Sequence, residues 1–88
     1  MTPFRFQIDY NDETEPDIVY LNMIDRKSSQ LIQKLRMSWT EYQNIMDRDM
    51  SIFRNLMSPE DFSDFVMMFQ ESIIGISKLR KDNGLDVH

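Results

Sequence analysis

Residues 58–84 read SPEDFSDFVMMFQESIIGISKLRKDNG. The stretch holds a start signal, an apolar body and a stop signal, in that order. The Ser58 hydroxyl can accept a hydrogen bond from an early helical N–H, and Pro59 suits the first helical position, where a missing N–H is not needed. Glu60 and Asp61 then face the positive end of the helix dipole. Lys78, Arg80 and Lys81 fall in the last turn, where cations are favoured, and Asn83-Gly84 is a stop. The spacing predicts a helix over residues 59–82.

At about 100° per residue, Phe62, Phe65, Val66, Phe69, Ile73 and Ile76 gather in one arc, with Met68 and Leu79 on its flank. That arc is an ordinary core face. Met67 and Ile74 stand seven residues apart and line up with each other on the far side, beyond Ser63, Gln70 and Ser77. A helix apolar on two sides is central to its fold or touches a partner. Three readings stay open for the second side: burial against the rest of the chain, self-association, and contact with a different protein. Eight Met in 88 residues suit an adaptable contact surface.

Upstream, Trp39, Tyr42, Ile45, Met46, Met50, Phe53, Leu56 and Met57 recur at steps of three and four, which predicts a helix over 39–57. Ser38 precedes Glu41 by three, a capping-box spacing. Asp49 points into the apolar arc of that helix, and a lone buried carboxylate is costly. It reads either as a cap after a break at Asp47–Ser51 or as a buried polar contact that fixes orientation or grips a partner's cation. Leu31, Ile32 and Leu35 form a short stripe and predict a further helix over 28–37.

At the N-terminus, Phe4, Phe6, Ile8 and Tyr10 alternate with Arg5, Gln7 and Asp9, the period of a half-buried strand. IVYLNMI, residues 18–24, is rich in β-branched and aromatic side chains and reads as a second strand. The polar loop NDETEPD, residues 11–17, joins them into a hairpin over 3–24. A lone hairpin is not stable in water. The expected architecture is therefore α+β in one domain, residues 1–88, with the hairpin packed on two or three helices and the long C-terminal helix central.

The net charge of −5 and pI near 4.6 disfavour nucleic acid and anionic membranes as partners. No Cys is present, so disulfides, thiol nucleophiles and thiolate metal sites are excluded; this fits a cytoplasmic protein. No run of eighteen apolar residues exists, and MTPFRFQIDY lacks a signal-peptide apolar region, so no membrane segment is expected. The composition is also that of many small inhibitors encoded by phages and other mobile elements, an analogy of composition and not of motif.

Chemical motifs are sparse. Counting a calcium loop from Asp9 puts Thr14 where Gly belongs and Tyr20 where Glu belongs. The sole His is His88, the last residue. No phosphate-binding Gly loop, HExxH or GxSxG occurs. The Glu60–Asp64 pair lies on a polar helical face and reads as solvated. An enzyme, a catalytic residue, a cofactor and a metal site are therefore not expected.

The expected function is non-catalytic protein binding, by a small acidic regulator, adaptor or inhibitor that occupies a partner's surface. Met67 and Ile74, with Met68, would supply an apolar contact, and Asp12, Glu13, Glu15 and Asp17 would steer a basic partner. Two other classes compete. A dimeric ribbon-helix-helix DNA-binding regulator would use IVYLNMI as its paired strand and the cations Arg26, Lys27, Lys34 and Arg36. A structural subunit of a larger assembly would form oligomers beyond a dimer.

Overall fold

The computed structural model describes residues 2–45 and 50–85. Three strands come first, β1 (Phe4–Asp9), β2 (Ile18–Asp25) and β3 (Leu31–Ser38). Three helical segments follow among the described residues, α1 (Trp39–Gln43), α2 (Met50–Leu56) and α3 (Pro59–Asp82). The fold is α+β, as the sequence patterns predict, with a long last helix.

The sheet has the order β1-β2-β3 and is antiparallel throughout. Ile8, Leu21 and Leu35 lie opposite one another across the three strands. Phe6 pairs with Met23, and Val19 with Met37. Residues directly opposite share a face, and these all belong to the core or pack against it. The alternate residues Arg5, Gln7, Asp9, Tyr20, Asn22, Lys34 and Arg36 form the outer face. The expected hairpin over 3–24 is thus present as β1 and β2.

The helix expected over 28–37 is instead β3. Leu31, Ile32 and Leu35 fit a helical stripe, but Leu35 and Met37 also fit strand alternation, and pairing with β2 decides between the two. A tight turn sets up that pairing. The Asp25 carboxylate accepts from the backbone N–H groups of Lys27 and Ser28 at 2.8 and 2.9 Å. Ser29 takes φ 59°, and its N–H donates to the Asp25 carbonyl at 2.9 Å. DRKSS is therefore a strand-to-strand turn stabilised by an Asx contact, and not a helix start.

The expected helix over 39–57 is helical at both ends, as α1 and α2. Ser38 caps α1 with the full reciprocal box to Glu41, as its spacing implies. Asn44 closes α1, its N–H reaching the carbonyls of Thr40 and Glu41. Asp49, with Met46, lies outside the described residues.

α3 matches the predicted bounds. The Ser58 hydroxyl accepts from the Asp61 N–H at 3.3 Å, Pro59 opens the helix, and the Asn83 N–H closes it on the Leu79 carbonyl at 3.1 Å. Gly84 takes the left-handed φ of 73° that a helix stop requires. Among the described residues, no helix is long and apolar enough to cross a membrane.

A chain of rings joins the sheet to the helices. Phe6 meets Phe65 at 5.1 Å and Phe53 at 5.6 Å between centroids; Phe53 stacks on Phe65 at 5.0 Å. Phe65 leads to Phe69, Phe69 to Tyr42 at 4.6 Å, and Tyr42 to Trp39. Each such pair adds about 0.5–1.5 kcal/mol beyond the area it buries. These rings fix α3 on the sheet by one side and leave its other side outward.

Candidate protein interface

Phe65, Phe69 and Ile76 are buried on α3, and Phe62, Val66 and Ile73 are half-buried. This is the core arc that the helical spacing defines. Met67 and Ile74 are 59% and 71% exposed. The second apolar side of the helix is therefore not covered by the rest of the described chain. Ile74 lies beside a shallow groove of about 480 Å³, shared with Ile73, Ser77, Lys78 and Lys81. Met68 goes elsewhere. It is half-buried against the core and lines a cleft of about 240 Å³ with Phe4, Phe6, Met57 and Phe65.

The acidic loop is folded onto the molecule. Asn11 accepts from the N–H groups of Glu13 and Thr14 at 3.0 and 3.1 Å, and Tyr10 donates its hydroxyl to the Pro16 carbonyl at 2.8 Å. Glu15 accepts from the Tyr20 hydroxyl at 2.7 Å, which, as the largest cause, raises the Tyr20 pKa. Asp12 accepts from the Asn83 side-chain amide at 2.9 Å, and Asp17 pairs with Arg80 at 3.0 Å. Three of the four carboxylates are thus engaged, while Glu13 is exposed. The loop sits at the C-terminal end of α3. Arg80 is about 20 Å along the helix from Met67 and about 9 Å from Ile74 at 1.5 Å per residue, so the loop meets α3 beyond the C-terminal end of the Met67–Ile74 face.

Arg80 is the last-turn cation that the sequence predicts, with a further role that sequence reasoning misses. It is also buried. Its guanidinium donates to the Pro16 carbonyl and to Asp17, and lies 5.7 Å from the Trp39 ring centroid. It ties the loop to α3 and to the start of α1.

Two further sets of polar contacts tie α3 to the rest of the fold. The Tyr42 hydroxyl bonds to Ser72 on α3. Ser72 itself donates to the Phe69 carbonyl at 2.6 Å, so Tyr42 is the donor of the pair. Burial pushes the Tyr42 phenol up to about 12. At the other end of α3, Asp61 accepts from the Thr2 N–H at 2.8 Å and the Ser58 hydroxyl at 3.0 Å, and pairs with Arg26 at 3.2 Å. These bonds, the Thr2 contact first, hold Asp61 down at about 2.

A second open surface follows from the third strand. β3 is an edge strand, and Leu31 and Ile32 on it are 54% exposed each. Between β3 and α2 lies a groove of about 350 Å³ lined by Leu35, Met37, Ile45, Ile52 and Phe53, with Arg36 and Glu41 at its sides. Reading residues 28–37 as a helix hides this surface; the turn residues Asp25 to Ser29 are the signal that reveals it. The strand proposed as a DNA-binding ribbon, Ile18–Ile24, is the middle strand, with both edges taken.

Among the described residues, no three of His, Asp and Glu converge in a metal-binding arrangement. Comparison with protein-family models, curated proteins and solved structures returns no significant match.

Proposed function

We propose that this chain is a non-catalytic protein-binding module, a regulator, adaptor or inhibitor that works by occupying a partner's surface. The observation that carries the reading is the outward side of α3. Met67 and Ile74 stand in solvent on a helix whose opposite side already supplies the core. Large exposed side chains aligned on one rigid helix are contact residues more readily than accidents of composition. The buried polar groups Tyr42 and Arg80 are occupied in joining elements to one another, which also favours a binding scaffold over a reaction site.

The open β3 edge favours one second reading, a subunit of a larger assembly that grows by strand addition. The DNA-binding class has less support, since its candidate ribbon strand is enclosed between β1 and β3. Electrophoretic shift with random duplex at low salt is expected to show no binding.

The test uses the whole chain as bait with a Met67→Glu/Ile74→Glu variant beside it. A protein retained by the wild type and lost by the variant, with unchanged circular dichroism, supports the reading. Equal retention by both baits would sink it.

A further inference from the structure

The outward stripe of α3 has a pattern beyond its two apolar residues. Glu60, Asp64, Met67, Glu71, Ile74, Lys78 and Lys81 follow one another at steps of four and three, a heptad seam. All seven are exposed. Along the seam the signs are segregated: acids at the N-terminal end, cations at the C-terminal end, apolar residues between. Glu60 and Asp64 have no cation three or four residues away on their own helix, the spacing that would neutralise them locally. Gly75 borders the seam, and a Cβ built there meets nothing within 4 Å. Glycine inside a helix costs about 1 kcal/mol relative to Ala, and packing among the described residues does not require it. A closely approaching second backbone would.

We propose that α3 pairs antiparallel with α3 of a second copy of this chain along that seam. The sequence is self-complementary about Glu71. Met67 meets Ile74 of the partner subunit, Asp64 meets Lys78 of the partner subunit, and Glu60 meets Lys81 of the partner subunit. The two-fold axis repeats every contact, as an isologous interface demands. One contact opposes the rest: Glu71 faces its own copy across the axis. A parallel arrangement sets acids on acids and cations on cations, so the charges select the antiparallel one. The other open element does not offer the same match, since an antiparallel β3 pair centred on Leu35 sets Lys34 against Arg36.

With two apolar residues per copy and exposed ion pairs, the dimer is weak and salt-sensitive. This inference rests on the reading of α3 as a binding face and names its occupant. Sedimentation velocity over a concentration series is expected to show monomer–dimer exchange that weakens in high salt. Lys78→Glu/Lys81→Glu alone and Glu60→Lys/Asp64→Lys alone are each expected to lose the dimer, and an equimolar mixture of the two to regain it. Glu71→Gln is expected to tighten it several-fold.

Orientation is read by cysteines, which the chain otherwise lacks. Glu71→Cys should form a disulfide-linked dimer under mild oxidation. Met67→Cys should cross-link with Ile74→Cys in a mixture, and neither should cross-link alone. Self-linking of Met67→Cys would overturn the antiparallel pairing. A monomer at every concentration would overturn the self-association while leaving the binding reading intact, provided Met67→Glu/Ile74→Glu still abolishes capture of another protein. Failure of both experiments would remove the face altogether.

Discussion

Arg80 and Asp17 stand 63 residues apart in sequence and meet at 3.0 Å, yet their exposures are opposite, 7% for the arginine side chain and 78% for the aspartate. The pair is therefore asymmetric in what each partner does. Arg80 buries its stem in the core, covers Trp39 and satisfies the Pro16 carbonyl, while Asp17 remains in water.

The two substitutions should differ accordingly. Arg80→Ala removes packing, a ring contact and the donor to Pro16, and should lower stability by about 2–4 kcal/mol. Asp17→Asn touches only a solvent-screened contact and should change it by less than about 1 kcal/mol. Urea unfolding of both variants measures the difference. Equal losses would mean that the ion pair, and not arginine burial, carries the interaction.

Burial of the Tyr42 phenol gives an alkaline signature. The folded phenol titrates near 12, above its ordinary 10.0. The folded state holds that proton more tightly than the unfolded chain does, so the contribution is complete below pH 10 and is lost as pH rises through 12. Tyr42→Phe should cost about 0.5–1.5 kcal/mol at neutral pH and should flatten the fall in unfolding midpoint between pH 10 and 12. Tyr20, also raised, is present in both proteins, so the difference isolates Tyr42. Parallel curves would remove the phenol from the alkaline transition.

What the sequence makes legible here is whatever local rules decide. The bounds of α3 follow from Ser58, Pro59 and Asn83-Gly84, and the cap of α1 follows from Ser38 and Glu41. The core arc follows from helical spacing alone, and the same spacing sets Met67 and Ile74 apart from it; that the chain leaves them uncovered is seen only in the fold. β3 is not legible in this way, because Leu31, Ile32 and Leu35 fit a helical stripe while Leu35 and Met37 fit strand alternation, and only long-range pairing with Leu21 and Val19 chooses between them. The role of Arg80 is equally non-local: its partners sit on the β1–β2 loop and on α1, and nothing near it in sequence announces them. The candidate interface splits along the same line. The helical face is readable, while the edge-strand groove appears only once β3 exists.

The turn that creates β3 can be tested at one residue. Ser29 holds φ 59°, a region that L side chains occupy at a cost and glycine occupies freely. Ser29→Gly should be neutral or stabilising by up to about 1 kcal/mol, while Ser29→Val, β-branched, should destabilise by about 1–2 kcal/mol. Thermal unfolding of the pair decides it. A stabilising valine would show that the turn does not need this conformation.

Asp61 controls the acid limb. It joins the N-terminal Thr2, the cap residue Ser58 and Arg26 of the β2–β3 turn at the start of α3. Its folded pKa near 2 lies below the ordinary 3.8, with the Thr2 N–H as the leading cause. A depressed carboxylate contributes fully above its unfolded value and loses that contribution as pH falls through the folded one. Wild-type stability should therefore decline from about pH 4 to pH 2. Asp61→Asn should be less stable than wild type at pH 7 and should converge on it toward pH 2. Asp25 and Glu41, also lowered by backbone donors, remain in the variant and leave it a residual slope of the same sign. Thermal midpoints at pH 7, 4, 3 and 2 give the comparison. A gap between the two proteins that stays constant with pH would mean that the charge on Asp61 is immaterial, and that only its shape holds the N-terminus to the helix.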